Sequence, residues 1–100
     1  MIIHVHPDSR ITLDDADTFT AFSVRAPAER TSQQIAAAFG MDAQARDADH
    51  IWISIARLRA LGREHGGPQW QKGCDGMIHF ATDKGWVDED ERLVRAHIER

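Results

Sequence analysis

The chain is poor in the residues that staple or anchor a protein. Cys74 is the only cysteine among 100 residues, so no intramolecular disulfide can form, and a secreted domain this short ordinarily depends on several. No stretch approaches the roughly eighteen consecutive apolar residues that a membrane-spanning helix needs. The opening MIIHVHPDSR has neither the basic start nor the long apolar run of a secretory signal. The expected location is therefore the cytoplasm, and the alanine and arginine usage fits a bacterial source. Basic charge is also scarce. Lysine and arginine number 12 against 16 aspartates and glutamates, for a net charge of −4. The acidity sits in the first fifty residues, which hold eight acidic and four basic side chains, whereas the last fifty hold eight of each. An acidic chain repels phosphate backbones, so nucleic acid is not an expected partner. No nucleotide or flavin motif is present, and the cofactor is left unassigned.

Hydrophobic residues make up 42% of the chain and charged residues 28%, which suits one modest core in one domain spanning 1–100. IIHVH (2–6) alternates and is β-branched, the pattern of a strand. PDSR reads as a turn. ITL (11–13) and TFTAFSVRA (18–26) read as further strands of a small antiparallel sheet. After Pro27 the pattern becomes helical. Thr31 and Gln34 have the spacing of a capping box ahead of SQQIAAAF, and Gly40 suits the helix end. MDAQARDAD (41–49) reads as a polar linker, with Asp49 capping a helix from about His50 to Glu64 that HGGP terminates. QWQKGCDG reads as a loop and GMIHFATDK (76–84) as a third helix stopping at Gly85, with a hairpin as the rival over 77–87. There Met77, Phe80, Ala81 and Lys84 share a face, and Trp86 closes the glycine-terminated end. Asp88 and Glu91 form a second capping box for a last helix. The expected class is α+β: two or three antiparallel strands followed by about four helices, the second one central and buried.

The stretch HIWISIARLRALG (50–62) carries the main site hypothesis. At about 100° per residue, Ile51, Ile55 and Leu58 cluster while Ile53 and Ala60 fall opposite, so a helix here is apolar on two sides and central. His50, Ser54 and Arg57 fall in one polar stripe. Arginine suits a carboxylate or phosphate and histidine suits proton transfer near neutral pH, so these three line a pocket or else simply face water. Arg59 falls near Trp52 and is placed to stack on it; both join the ligand-binding set. His97 interrupts the apolar face of Leu93, Val94 and Ile98, as a core residue or a pocket wall. With His50 it forms the candidate acid–base pair. His4 and His6 point to one side of the first strand, an arrangement that can hold a metal if a third ligand joins them. His79 and Asp83 lie one turn apart on a solvated surface. Cys74, beside Lys72 and a predicted helix start, has the surroundings of a low-pKa thiol, but an inert loop cysteine is the plainer reading. The tryptophans read as core.

SQQIAAAFGMD resembles the first half of a bacterial helix-turn-helix, with Ala36 at the helix crossing and Gly40 in the turn. That resemblance implies a recognition helix within a few residues. The chain departs from it, because AQARDAD lacks an apolar anchor and segment 31–65 has four arginines against four acidic residues, with no basic footprint. The leading expectation is a binding domain for an acidic small molecule or a protein partner, with self-association favoured by exposed sheet edges. A small acid–base enzyme is second and a transcriptional regulator third.

Overall fold

Strict alternation governs the middle of the protein. A computed structural model describes residues 1–90 and 92–100. It contains one six-stranded mixed sheet of β1 (Ile2–Val5), β2 (Ile11–Asp14), β3 (Ser23–Arg25), β4 (Ala43–Asp47), β5 (His50–Ser54) and β6 (Leu93–Glu99). The order across the sheet is β2-β1-β3-β6-β5-β4. β1 and β3 run parallel, as do β3 and β6, while the β1–β2, β5–β6 and β4–β5 pairs are antiparallel. Three helices accompany it: α1 (Ser32–Ala37), α2 (Ile55–Gly62) and α3 (Pro68–Asp83). The expected small antiparallel sheet with four helices is thus overturned. Three of the six strands come from segments that a helical or linker reading had claimed.

Each departure has a physical cause. HIWIS is the strand β5, because Ile51 and Ile53 alternate inward while His50, Trp52 and Ser54 alternate outward. Ser54 ends the strand with ψ near 125° and accepts a hydrogen bond from the Arg57 amide, so it is the N-cap of α2. The central buried helix proposed over 50–64 is therefore a strand joined to a shorter helix, and Asp49 sits in the preceding turn. LVRAHIE, expected as a helix, is the strand β6, with Val94, Ala96 and Ile98 buried and the residues between them turned out. Asp88 caps a turn, accepting from the amides of Arg92 and Leu93; Glu91 lies outside the described residues. AQARD, expected as linker, is the edge strand β4, held by pairing with β5 despite weak β-propensity. A register shift between Ala45 and Asp47 kinks that edge, which discourages pairing with a further chain. TFTAFSVRA forms a strand only at its end. That strand pairs parallel with β1, so the N-terminal piece is not wholly antiparallel.

Other expectations hold. The Thr31–Gln34 capping box is formed in both directions. One does not: QWQKGCDG, expected as a loop, is the first half of α3, which begins at Pro68 because proline at the first helical position needs no amide partner. Gly85, at φ +79°, ends it in a Schellman turn: the Trp86 amide bonds the Ala81 carbonyl and the Gly85 amide that of Thr82. The helical reading of 77–83 prevails over the hairpin.

All three helices pack on one sheet face. Ile35 and Ala36 of α1, Leu58 of α2 and Trp70, Cys74 and Met77 of α3 share a core with Ile3, Val24, Ile51, Ile53, Ala96 and Ile98. Trp70, 3% exposed, donates from Nε1 to the Ala16 carbonyl at 2.9 Å and lies flat on Gly62. A Cβ at Gly62 would fall 2.0 Å from the indole. Among the described residues no helix is long and apolar enough to cross a membrane.

Gly62→Ala is expected to lower stability by about 1–3 kcal/mol through overpacking. Gly76→Ala, on the exposed side of α3 with open space at its Cβ, is expected to raise it by about 0.5–1 kcal/mol. Urea unfolding of the two variants checks both signs, and a stability gain for Gly62→Ala would contradict the packing described.

Candidate functional site

Pairing register, not helical angle, decides which side chains meet. On the sheet face away from the helices, a single cross-strand row runs over all six strands: Asp47, His50, His97, Ser23, Ile2 and Asp14. A second row places Gln44, Trp52 and Arg95 side by side. A third places Thr12, His4, Arg25 and Glu99 in line. Of these residues only Ser23 is buried.

The candidate acid–base pair is brought together on this face. His50 and His97 are cross-strand neighbours whose rings meet edge-on at 5.3 Å between centroids. His97 is exposed, which corrects its expected place in an apolar helix face. His50 Nδ1 lies 2.8 Å from Asp47 Oδ1. With the Asp49 amide bonded to the same oxygen, this holds the Asp47 carboxyl down at about 2. An ionised carboxylate only accepts, so Nδ1 carries the proton in this contact.

The remaining residues of the expected pocket separate. Ser54 faces the same side as His50 but spends its hydroxyl capping α2. Arg57, one turn into α2, pairs with Asp42 at 2.8 Å and lies 5.9 Å from the Phe39 ring, so the stripe His50–Ser54–Arg57 does not exist as a unit. Arg59 does not reach Trp52. It pairs with Asp75 at 2.6 Å and with Gln71 at 3.3 Å, while Arg46 takes the position over Trp52 at 6.0 Å.

His4 and His6 do share a side: their rings stack with centroids 3.9 Å apart. His4 Nδ1 lies 3.4 Å from Asp14 and His6 Nε2 lies 2.8 Å from the Thr12 hydroxyl. Among the described residues, no group of three or more His, Cys, Asp or Glu side chains is placed to hold a metal. Cys74 is a buried residue of α3, not of a loop, and burial pushes its thiol up, opposite to what a nucleophile needs. His79 and Asp83 are an exposed pair at 3.6 Å. Where the helix-turn-helix resemblance implies a recognition helix, the chain forms β4.

Arg25, Arg46 and Arg95 escape the sequence reading, which takes the segment of Arg46 as linker and that of Arg95 as helix. The signal for Arg95 was the period-two alternation of LVRAHIE. A cavity of about 600 Å³ between the start of α1 and the β4–β5 turn also gathers Arg30, Arg46 and Arg100 from three distant segments. Two of these are already engaged by Asp47 and Asp49, and Arg30 donates to the Pro7 carbonyl and the Ser9 hydroxyl. No family model matches the chain, and neither a curated protein nor a solved structure shows significant similarity to it.

Asp47 is expected to titrate by carbon-detected NMR at about 2 and to move back toward the ordinary carboxylate range in His50→Ala. A carboxyl depressed by its native partner adds stability above its unfolded value near 3.9 and loses it as pH falls toward the folded value. The contribution thus fades between about pH 4 and about pH 2. An unchanged midpoint in His50→Ala would show that the imidazole does not hold this carboxylate.

Proposed function

We propose that this chain is a small cytoplasmic binding module that docks an acidic segment of a protein partner on the sheet face left bare by the helices. The observation that carries this reading is the gathering of His4, His6, His50 and His97 with Trp52 on that face. Six strands at about 4.8 Å spacing make it roughly 24 Å wide. A face of that width suits a protein segment better than an acidic small molecule. Its fixed charges balance: Arg25, Arg46 and Arg95 stand against Asp14, Asp47 and Glu99. The imidazoles therefore set its sign. Histidine is the side chain whose charge ordinarily changes near neutral pH, so an acidic partner is expected to bind more tightly as pH falls.

A labelled hexa-aspartate peptide is the probe, since its carboxylates stay ionised across the range used. Fluorescence anisotropy is expected to show about tenfold tighter binding at about pH 6 than at about pH 8. His50→Asn with His97→Asn removes about half of that difference, and adding His4→Asn with His6→Asn removes the rest. Equal affinity at both pH values, or a difference indifferent to the double variant, overturns the reading. Sedimentation of the protein alone, over the same pH range, detects a second copy occupying the face instead.

The Asp47–His50 contact beside His97 favours a second reading, acid–base catalysis on a small carboxylated substrate. On that reading His97→Asn lowers turnover by about 100-fold or more while peptide binding at about pH 8 is unchanged. Retention of turnover removes it.

A further inference from the structure

We infer that a groove between α3 and the segment leading into β3 is a binding site for a small carboxylic acid with an apolar body. Two adjoining cavities of about 90 and 360 Å³ share Phe19, Thr20, Met77 and Phe80 as walls. Glycine shapes them. At Gly73 a Cβ would fall 2.3 Å from the Phe19 ring, so that ring rests directly on the helix backbone. Gly76 lines the larger cavity and presents no side chain to it. Met77 is the buried floor. Phe80, 55% exposed, is the rim, and Met41 is the other large apolar side chain left in solvent among the described residues. Trp86 closes one end with its ring edge-on to Phe80 at 6.0 Å between centroids, held there by the Schellman turn.

One charge is set into these apolar walls. Arg95 lines the smaller cavity, its guanidinium carbon 5.4 Å from the Trp86 ring centroid. Lys84 Nζ stands 5.4 Å from the Phe80 ring. Among the described residues neither cation is paired with a carboxylate. An aromatic trough with a cation at its end selects an amphiphile. A neutral apolar molecule gains nothing from the guanidinium, and a wholly polar anion leaves the aromatic walls wet. The larger cavity alone falls within the roughly 300–1,000 Å³ of small-ligand sites. Arg95 is shared with the edge of the docking face, but the groove uses none of the histidines there, and its test is blind to them.

Octanoate and 1-octanol differ in the head group alone and are the probes. On titration, the Gly73 and Gly76 amides and the Trp86 indole N–H are expected to shift in NMR spectra, with octanoate binding about tenfold more tightly than octanol. In Arg95→Gln the two affinities converge. In Phe80→Ala, a rim substitution that spares the core, both weaken. Absence of shifts at these three groups overturns the inference. So does octanol binding as tightly as octanoate, or an octanoate preference that survives Arg95→Gln. Circular dichroism confirms that each variant is folded, and Arg95→Lys, which keeps the charge, is expected to retain part of the preference.

Discussion

The register between β5 and β6 is the constraint from which the rest follows. His50 opposite His97 sets Ile51 on Ala96 and Ile53 on Val94. Every second residue of both strands then faces the helices. Because the side-chain period of a strand is two, a slip of one residue would turn Ile51, Ile53, Val94 and Ile98 into solvent and His50, Trp52, Arg95 and His97 into the core. The buried partners of these strands, from Leu58 on α2 to Met77 on α3, leave no room for imidazole or guanidinium without hydrogen-bond partners. Burial of the apolar row and exposure of the histidine row are therefore one event. Hydrophobic packing on one face fixes the composition of the other.

Crowding on the helical side explains why the opposite face stays bare. Three helices share one core on the same side of the sheet, and the close contacts of Gly62 with Trp70 and of Gly73 with Phe19 draw α2, α3 and the segment before β3 together there. In a chain of 100 residues, one core absorbs most of the available apolar surface. What remains for the other face is polar and charge-balanced. A face of that composition has little drive to bury itself permanently, yet it can meet a partner of suitable charge. The same economy leaves Phe80 in solvent, with Trp86 beside it.

Much of the local structure was legible in the residues. β1, β2, the Thr31–Gln34 box and the glycine end of α3 each depend on short-range chemistry that sequence displays directly. The two segments misread as helices, β5 and β6, share one property: their apolar residues satisfy two periods at once. In HIWISIARLRAL, isoleucines at 51, 53 and 55 alternate, but 51, 55 and 58 also fit a helix. The decisive residue was Ser54, a residue better suited to a cap than to a helix interior, which marks the change of period. In LVRAHIE the spacing of Leu93, Val94 and Ile98 mimics a helical stripe, while Val94, Ala96 and Ile98 give the alternation that the neighbouring strands select. β4 was not legible at all, because AQARD has little strand propensity and is recruited by β5. Pro68 was read as a terminator of what came before it, although it begins α3.

The site residues fared differently from the elements that carry them, and the reason is geometric. A spacing of four places His50 and Ser54 on one side of a helix and also on one side of a strand. The pair thus survives the change of element while Arg57, seven positions on, does not. His97 could not have been assigned to His50 from either period alone, since their proximity comes from pairing between segments more than forty residues apart. What sequence supplied was residue type: histidines and arginines set among isoleucines, at positions where a purely structural strand would carry threonine or valine. What only the sheet supplied was their convergence. Four imidazoles stand on one face with three guanidiniums and three carboxylates in balance around them. That arrangement belongs to the register of the strands rather than to any one residue.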